Sequence, residues 1–104
     1  MTLTFHPAAR DEFVAAAAYY EAAMPGLGSR FQNAVRRTTD LALVHPDVGS
    51  PRAAARRLPV SGFPYDVVYW VRGEVIEVLA VSTIIDAPAT GARGSVARYT
   101  LRTS

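Results

Sequence analysis

Two apolar runs separated by one short break constrain the fold of this chain more than any other feature. Residues 63–71 and 75–82 are rich in β-branched and aromatic side chains, and Gly73 lies in the break between them. That composition around a glycine is typical of a β-hairpin. Both alternating faces of each run are largely apolar. The pattern therefore predicts two strands inside a sheet, with at least one face covered by helices.

The region before this hairpin predicts two helices. Pro7 favours a helix start after His6, because proline is tolerated in the first turn, and residues 24–28 interrupt that helix. A second helix is expected from about Ser29 to Val44, since a residue that precedes proline, here His45, avoids the helical conformation. The apolar positions expected to face the sheet are Ala9, Phe13, Ala16, Tyr20 and Ala23 in the first helix, and Phe31, Val35, Thr38 and Ala42, with Leu41 alongside, in the second.

The remaining segments complete the expected fold. Residues 2–5 alternate weakly and predict a first strand, residues 47–51 predict a loop rich in turn formers, and residues 54–58 predict a strand that Pro59 ends or places near an edge. We therefore expect an α+β fold with a mostly antiparallel sheet, in the order β-α-α-β-β-β, and a helical hairpin on one face. One domain is expected over residues 1–104, and residues 86–104 lack any pattern and predict an irregular tail.

Composition excludes several classes of protein and site. The chain has 104 residues, enough for a single domain, and no cysteine, which excludes disulfides and thiolate metal sites. Its two histidines are isolated and each precedes a proline, so structural roles are expected and neither a metal nor a cofactor. No apolar run approaches the roughly 20 residues of a membrane span, and the N-terminus has no signal-peptide pattern. We expect a cytoplasmic protein with no membrane partner.

All eleven basic residues are arginine, and the net charge is +2. Arginine makes planar, bidentate contacts to carboxylates and phosphates, which favours an acidic partner. A GC-rich coding sequence explains an alanine- and arginine-rich chain equally well.

Short motifs along the chain carry a resemblance to a known family. The matching residues are Phe5-His6-Pro7-Ala8-Ala9 with Glu12, Tyr20-Glu21, Pro25-Gly26-Leu27-Gly28 with Phe31, His45-Pro46, Arg56-Arg57-Leu58, Phe63-Pro64-Tyr65 leading to Tyr69, and Val78-Leu79-Ala80-Val81. In order and spacing they resemble the RelE/ParE superfamily of type II toxin–antitoxin toxins over residues 3–82, and ParE-like members above all.

The resemblance implies that this chain is the toxin of a plasmid-stabilisation module. A small antitoxin is expected to neutralise the toxin by wrapping around it. ParE-like members block DNA gyrase by binding. RelE-like members instead cleave mRNA in the ribosome with basic residues and a C-terminal tyrosine, and an inactive remnant that still binds antitoxin is a third alternative.

Four residues are candidates for partner binding: Arg56, Arg57, Trp70 and Arg72. The two adjacent arginines should point to opposite faces of a strand, so at most one belongs to any given patch, and solvated edge arginines are an equally good interpretation. Trp70 is an interface candidate if the helices leave one sheet face bare, because aromatic residues are enriched at interfaces, whereas Tyr69 is expected in the core.

The sequence argues against RelE-like catalysis, and no catalytic residue is assigned. Metal-free RNA cleavage needs groups that stabilise a phosphorane and move protons. RelE-like enzymes tend to carry an arginine just after the position of Tyr65, where this chain has Asp66, and a carboxylate repels phosphate. Their C-terminal arginine and tyrosine have no counterpart at the expected distance after Ser82, so direct nucleic-acid binding is not expected.

The resemblance stops after Ser82, where ParE-like proteins usually continue with a histidine and a run similar to RRPGYW. Codons 82–91 can encode HHHRRPGYW in a shifted frame, in which each triplet consists of the third base of one codon and the first two bases of the next. Chance is the alternative, because the first base of each shifted triplet is free. Our hypothesis is a one-base deletion near codon 82, natural or introduced, that replaced the functional C-terminus and abolished or reduced activity.

Overall fold

The computed structural model describes residues 1–83, which form two helices and a five-stranded mixed sheet. The elements are β1 (Thr2–Phe5), α1 (Pro7–Ala23), α2 (Leu27–Val44), β2 (Ser50–Arg52), β3 (Ala55–Pro59), β4 (Tyr65–Arg72) and β5 (Val75–Thr83). The strand order is β1-β5-β4-β3-β2, with β1 and β5 parallel and the other neighbours antiparallel. The expected α+β fold is confirmed. The irregular tail predicted for residues 86–104 lies outside the described residues.

The central hairpin forms where the sequence predicts it, from β4 and β5. A two-residue turn joins the strands, and Gly73 occupies its first position with a φ of 62°, a value that favours glycine. The pairing shifts within the hairpin: Val68 pairs with Ala80 but Tyr69 pairs with Val78, which leaves Leu79 as an extra residue in β5. This β-bulge places Leu79 and Ala80 in the same cluster of side chains.

The second strand, β2, was not expected. It occupies part of the segment predicted as a loop, pairs antiparallel with β3 and forms one edge of the described sheet. Its three residues are all exposed, so they carry no apolar alternation that could reveal a strand. Pro51 fits there because an edge strand tolerates a residue without an N–H group.

The main core lies between the helical hairpin and one face of the sheet. Phe31 is fully buried at its centre, and its ring centroid lies 5.2 Å from that of Tyr20 and 5.1 Å from those of Phe63 and Tyr65. This aromatic cluster joins both helices to the sheet.

Two residues of the predicted helix stripes are not in the core. Ala23 is exposed because α1 ends there, and Ala17 is buried instead. Leu41 is 43% exposed, since a rotation of about 100° per residue turns it away from the buried neighbour Ala42. None of the helices in residues 1–83 is long and apolar enough to cross a membrane.

Candidate partner-binding surface

The sheet side opposite the helices carries three of the four candidate residues. We call it the second face and define it by Ala55, Arg57, Asp66, Val68, Trp70, Arg72, Glu77, Leu79 and Ala80, which follow from the strand register and the second packing cluster. That cluster contains no residue of either helix. The condition set for Trp70 as an interface residue, a sheet face that the two helices do not cover, is therefore met.

Trp70 is held on this face from two directions. Its indole N–H donates a hydrogen bond of 2.8 Å to Glu77 Oε1, across the pair of strands β4 and β5. The exposed Arg72 guanidinium lies 4.4 Å from the centre of the Trp70 ring, a cation–π contact. An aromatic ring fixed in this way offers contact area to a partner at a low cost in conformational entropy.

Arg57 lies on the same face, where a neighbouring carboxylate partly neutralises its charge. Its Nε is 3.2 Å from Asp66 Oδ2, and Asp66 is buried. Burial raises the pKa of Asp66 above its ordinary value, although Arg57 and, more weakly, Arg52 oppose the change. The carboxylate expected to repel a phosphate is thus buried beside an arginine.

Arg56 points to the opposite side of the sheet, as expected for neighbours in a strand. Its Nη1 donates to the carbonyl oxygens of Asp47 at 3.0 Å and Gly49 at 2.7 Å. The buried Tyr69 hydroxyl accepts a bond from the Gly49 N–H and donates one to the Pro46 carbonyl. Arg56 and Tyr69 together fix the loop between α2 and β2, so the structure gives this arginine a role in the fold.

Two glutamates from the sequence motifs also have roles that spacing alone does not reveal. Glu21 accepts hydrogen bonds from the N–H groups of Gly26 and Gly28, both at 3.0 Å, at the start of α2. Glu12 accepts one from the Val81 N–H at 2.9 Å, beyond the end of β1. A carboxylate in the last turn of α1, just before the glycine-containing break, is the only sequence signal for the first of these contacts.

Residues 1–83 contain no cluster of three or more histidine, aspartate or glutamate side chains that could hold a metal ion. His6 Nδ1 instead accepts a bond of 3.1 Å from the Ala8 N–H at the start of α1.

A family model described as the ParE toxin of type II toxin-antitoxin system, parDE, matches residues 3–83. The chain belongs to the ParE toxin family. It is therefore a toxin of the type II toxin–antitoxin class, as the resemblance implies.

The fold of the ParE-family chain is also similar to that of a solved structure, described as the chromosomal ParDE TA system from P. aeruginosa. That match has a TM-score of 0.69 and 20% sequence identity, and it covers 81% of this chain and 96% of the other. At this identity the similarity shows the shared fold. No curated protein matches the chain.

Proposed function

We propose that this ParE-family toxin is neutralised by a small acidic antitoxin protein encoded beside it, and that it blocks DNA gyrase by binding, without a chemical reaction. The observation that carries the proposal is the family match over residues 3–83. The match includes every described helix and strand except Thr2, the first residue of β1. Cytoplasmic action and a role in plasmid stabilisation belong to the same proposal.

The proposed binding surface is the part of the second face formed by Trp70 and Arg72 near the hairpin end of β4, together with Arg57 on the neighbouring strand β3. Trp70 supplies a ring fixed by Glu77, and Arg72 supplies a charge that no carboxylate within residues 1–83 neutralises by an ion pair. Tryptophan and arginine are the residue types that most often dominate binding energy at interfaces. Arg56 contributes from the opposite side of the sheet, where its Nη1 already donates to the carbonyl oxygens of Asp47 and Gly49.

RelE-like RNA cleavage receives no support from the described geometry. The three arginines among the partner-binding candidates do not converge on one site, because Arg56 lies on the helix side and Arg57 and Arg72 lie on the second face. Arg57 is also paired with Asp66. A toxin-fold remnant that binds antitoxin and poisons nothing has the same described fold, and only activity distinguishes it.

Three assays separate these functions. Expression of the chain with and without the neighbouring gene should arrest growth only when that gene is absent, and no arrest in either case supports the inactive remnant. Purified toxin should inhibit supercoiling by gyrase. Cleavage of translated mRNA, seen by primer extension with supercoiling unaffected, would instead establish the RelE-like alternative.

A surface variant tests the second face directly. Arg72→Glu should weaken the complex with the antitoxin by about tenfold, because loss of an interfacial charged contact costs at least about 1.4 kcal/mol. Arg10→Glu is the matched control, since Arg10 is also exposed but lies on α1. Equal affinities of the two variants in isothermal titration calorimetry would remove Arg72 from the interface.

A further inference from the structure

A pocket of about 280 Å³ lies between α2 and the loop that joins β3 to β4, away from the second face. Its lining residues are Arg30, Asn33, Arg37, Ser61, Gly62 and Phe63. The three α2 residues follow one another at spacings of three and four, so they share one side of the helix. The helix and the loop thus form two walls of a single concave site.

The pocket is lined by hydrogen-bond donors and by no carboxylate. Arg30 and Arg37 are exposed, and neither forms an ion pair within residues 1–83. The loop wall is fixed by a turn in which the Phe63 N–H donates to the Val60 carbonyl and Gly62 has a φ of 85°. Two guanidinium groups, an amide and a hydroxyl in one concave site favour an anion.

Beyond the pocket, the same side of α2 carries two exposed apolar residues next to the exposed Asp40, and we call these two residues the apolar stripe. Leu41 and Val44 follow Arg37 at spacings of four and three and are 43% and 69% exposed. A partner segment that enters the pocket with an acidic side chain therefore meets apolar contacts one and two helical turns further along.

We infer that this pocket and the adjoining apolar stripe bind an acidic, amphipathic segment of a protein partner, with its carboxylates on Arg30 and Arg37. This inference rests on the proposed function, in which that partner is the antitoxin. The pocket is slightly smaller than the roughly 300–1,000 Å³ of sites that enclose a drug-sized ligand, so it fits side-chain carboxylates presented by a larger molecule.

The surroundings favour a protein over a nucleic acid. Strong binding to a phosphate backbone requires many cationic contacts, commonly about six to ten. Here two arginines line the pocket, the acidic Asp40 lies on the next turn, and the apolar stripe consists of two exposed aliphatic side chains. That mixture of charged and apolar groups is typical of protein interfaces.

The test measures antitoxin affinity after charge reversal in the pocket. Arg30→Glu with Arg37→Glu should weaken the complex with the purified product of the neighbouring gene at least tenfold, and the loss should shrink at high salt. The matched control is Arg10→Glu with Arg36→Glu, which makes the same charge change at exposed helix positions outside the pocket lining. Urea unfolding midpoints confirm that both double variants fold.

Equal affinities of the two double variants overturn the inference while leaving the proposed function intact, because the wild-type complex still forms. A labelled single-stranded oligonucleotide is the second probe. If the pocket variant loses oligonucleotide binding and keeps its affinity for the antitoxin, the site serves phosphates, and the inference is again overturned.

A third measurement does not depend on the antitoxin. Titration of the wild-type protein with an oligoglutamate peptide, followed by NMR, should shift the backbone amides of Ser61 and Gly62 and the side-chain amide of Asn33. The Arg30→Glu/Arg37→Glu variant should show no such shifts. Wild-type spectra without shifts at these three residues would show that the pocket does not bind carboxylates, even if the toxin–antitoxin complex is tight.

Discussion

Tyr69 stabilises the fold through its hydroxyl group as well as its ring. The ring is fully buried, and the hydroxyl bonds to both the Gly49 N–H and the Pro46 carbonyl. A Cβ atom added at Gly49 would lie 2.9 Å from that hydroxyl oxygen and 3.0 Å from Arg56 Cβ. The residue alternation in β4 predicts the burial of Tyr69. It does not predict hydrogen bonds to residues 20 and 23 positions earlier in the chain, which only the register and the loop path create.

We expect Tyr69→Phe to lower the free energy of unfolding by about 1–3 kcal/mol, because the Gly49 N–H is left buried without an acceptor. Urea unfolding measures the change. Tyr19→Phe is the control: Tyr19 is 68% exposed, and its variant should stay within about 0.5 kcal/mol of the wild type. Equal stabilities of the two variants would show that the Tyr69 hydroxyl does not hold the loop.

Asp66 should make stability depend on pH. Because burial raises its pKa above the ordinary 3.8, the folded protein binds a proton more tightly than the unfolded chain. Stability from this group is then fully present below pH 3.8 and is lost as the pH rises through the higher native pKa.

The free energy of unfolding of the wild type should therefore fall relative to that of the Asp66→Asn variant as the pH rises through this window. Urea unfolding at a series of pH values measures it. A difference that moves in favour of the wild type would mean that the ion pair with Arg57 outweighs burial.

At the scale of elements, a glutamate of one helix caps the other helix. Gly26 precedes α2 with a φ of 90° and offers no side-chain cap, and Glu21 of α1 supplies the acceptors instead. A negative charge at a helix N-terminus is also favoured by the helix dipole. Gly28 permits this approach, because a Cβ there would lie 2.7 Å from the Ala17 carbonyl oxygen. The sequence predicts the helix break and not the contact across it.

We expect Glu21→Ala to cost about 1–2 kcal/mol, the effect of losing a helix cap. Asp11→Ala is the control, since Asp11 is an exposed acid of the same helix and should change stability by less than about 0.5 kcal/mol. Thermal or urea unfolding compares them. Amide exchange at Gly26 and Gly28 should also accelerate in the Glu21 variant, and unchanged exchange there would exclude the cap.

Long, strongly patterned elements were predictable, and short ones were not. β4, β5 and both helices follow from hydrophobic pattern and proline positions. β2 could not be predicted from the sequence, because its three exposed residues form a strand only by pairing with β3. The bulge at Leu79 is also invisible in the pattern, since an added residue in an apolar run leaves the run apolar.

At the scale of the whole molecule, the fold and the family could be predicted, while the site could only be outlined. Arg56 and Arg57 lie on opposite faces of the sheet, as the alternation of side chains along a strand predicts. The contact of Arg56 with the loop before β2 and that of Arg57 with Asp66 depend on the folded structure and could not be predicted. The basic pocket at Arg30 and Arg37 was not predicted. Its second wall is a loop whose first lining residue, Ser61, lies 24 residues after Arg37 in the sequence. A spacing rule within one helix cannot reveal a second wall from a distant loop.

The nucleotide sequence of the gene tests whether a deletion replaced the C-terminus. The family match ends at residue 83, close to where the resemblance ends, and a one-base deletion near codon 82 accounts for both. The hypothesis requires that the codons of Asp86 and Ala87 end in C, that of Pro88 in G, and those of Ala89 and Thr90 in T, because only these bases restore Arg-Pro-Gly-Tyr-Trp in the shifted frame. Sequencing the gene decides it, and any other third base in the last two codons removes the Tyr and Trp and refutes the deletion. If the bases agree, reinserting one base at codon 82 should restore or strengthen growth arrest, whereas inserting three bases there, which keeps the present frame, should not.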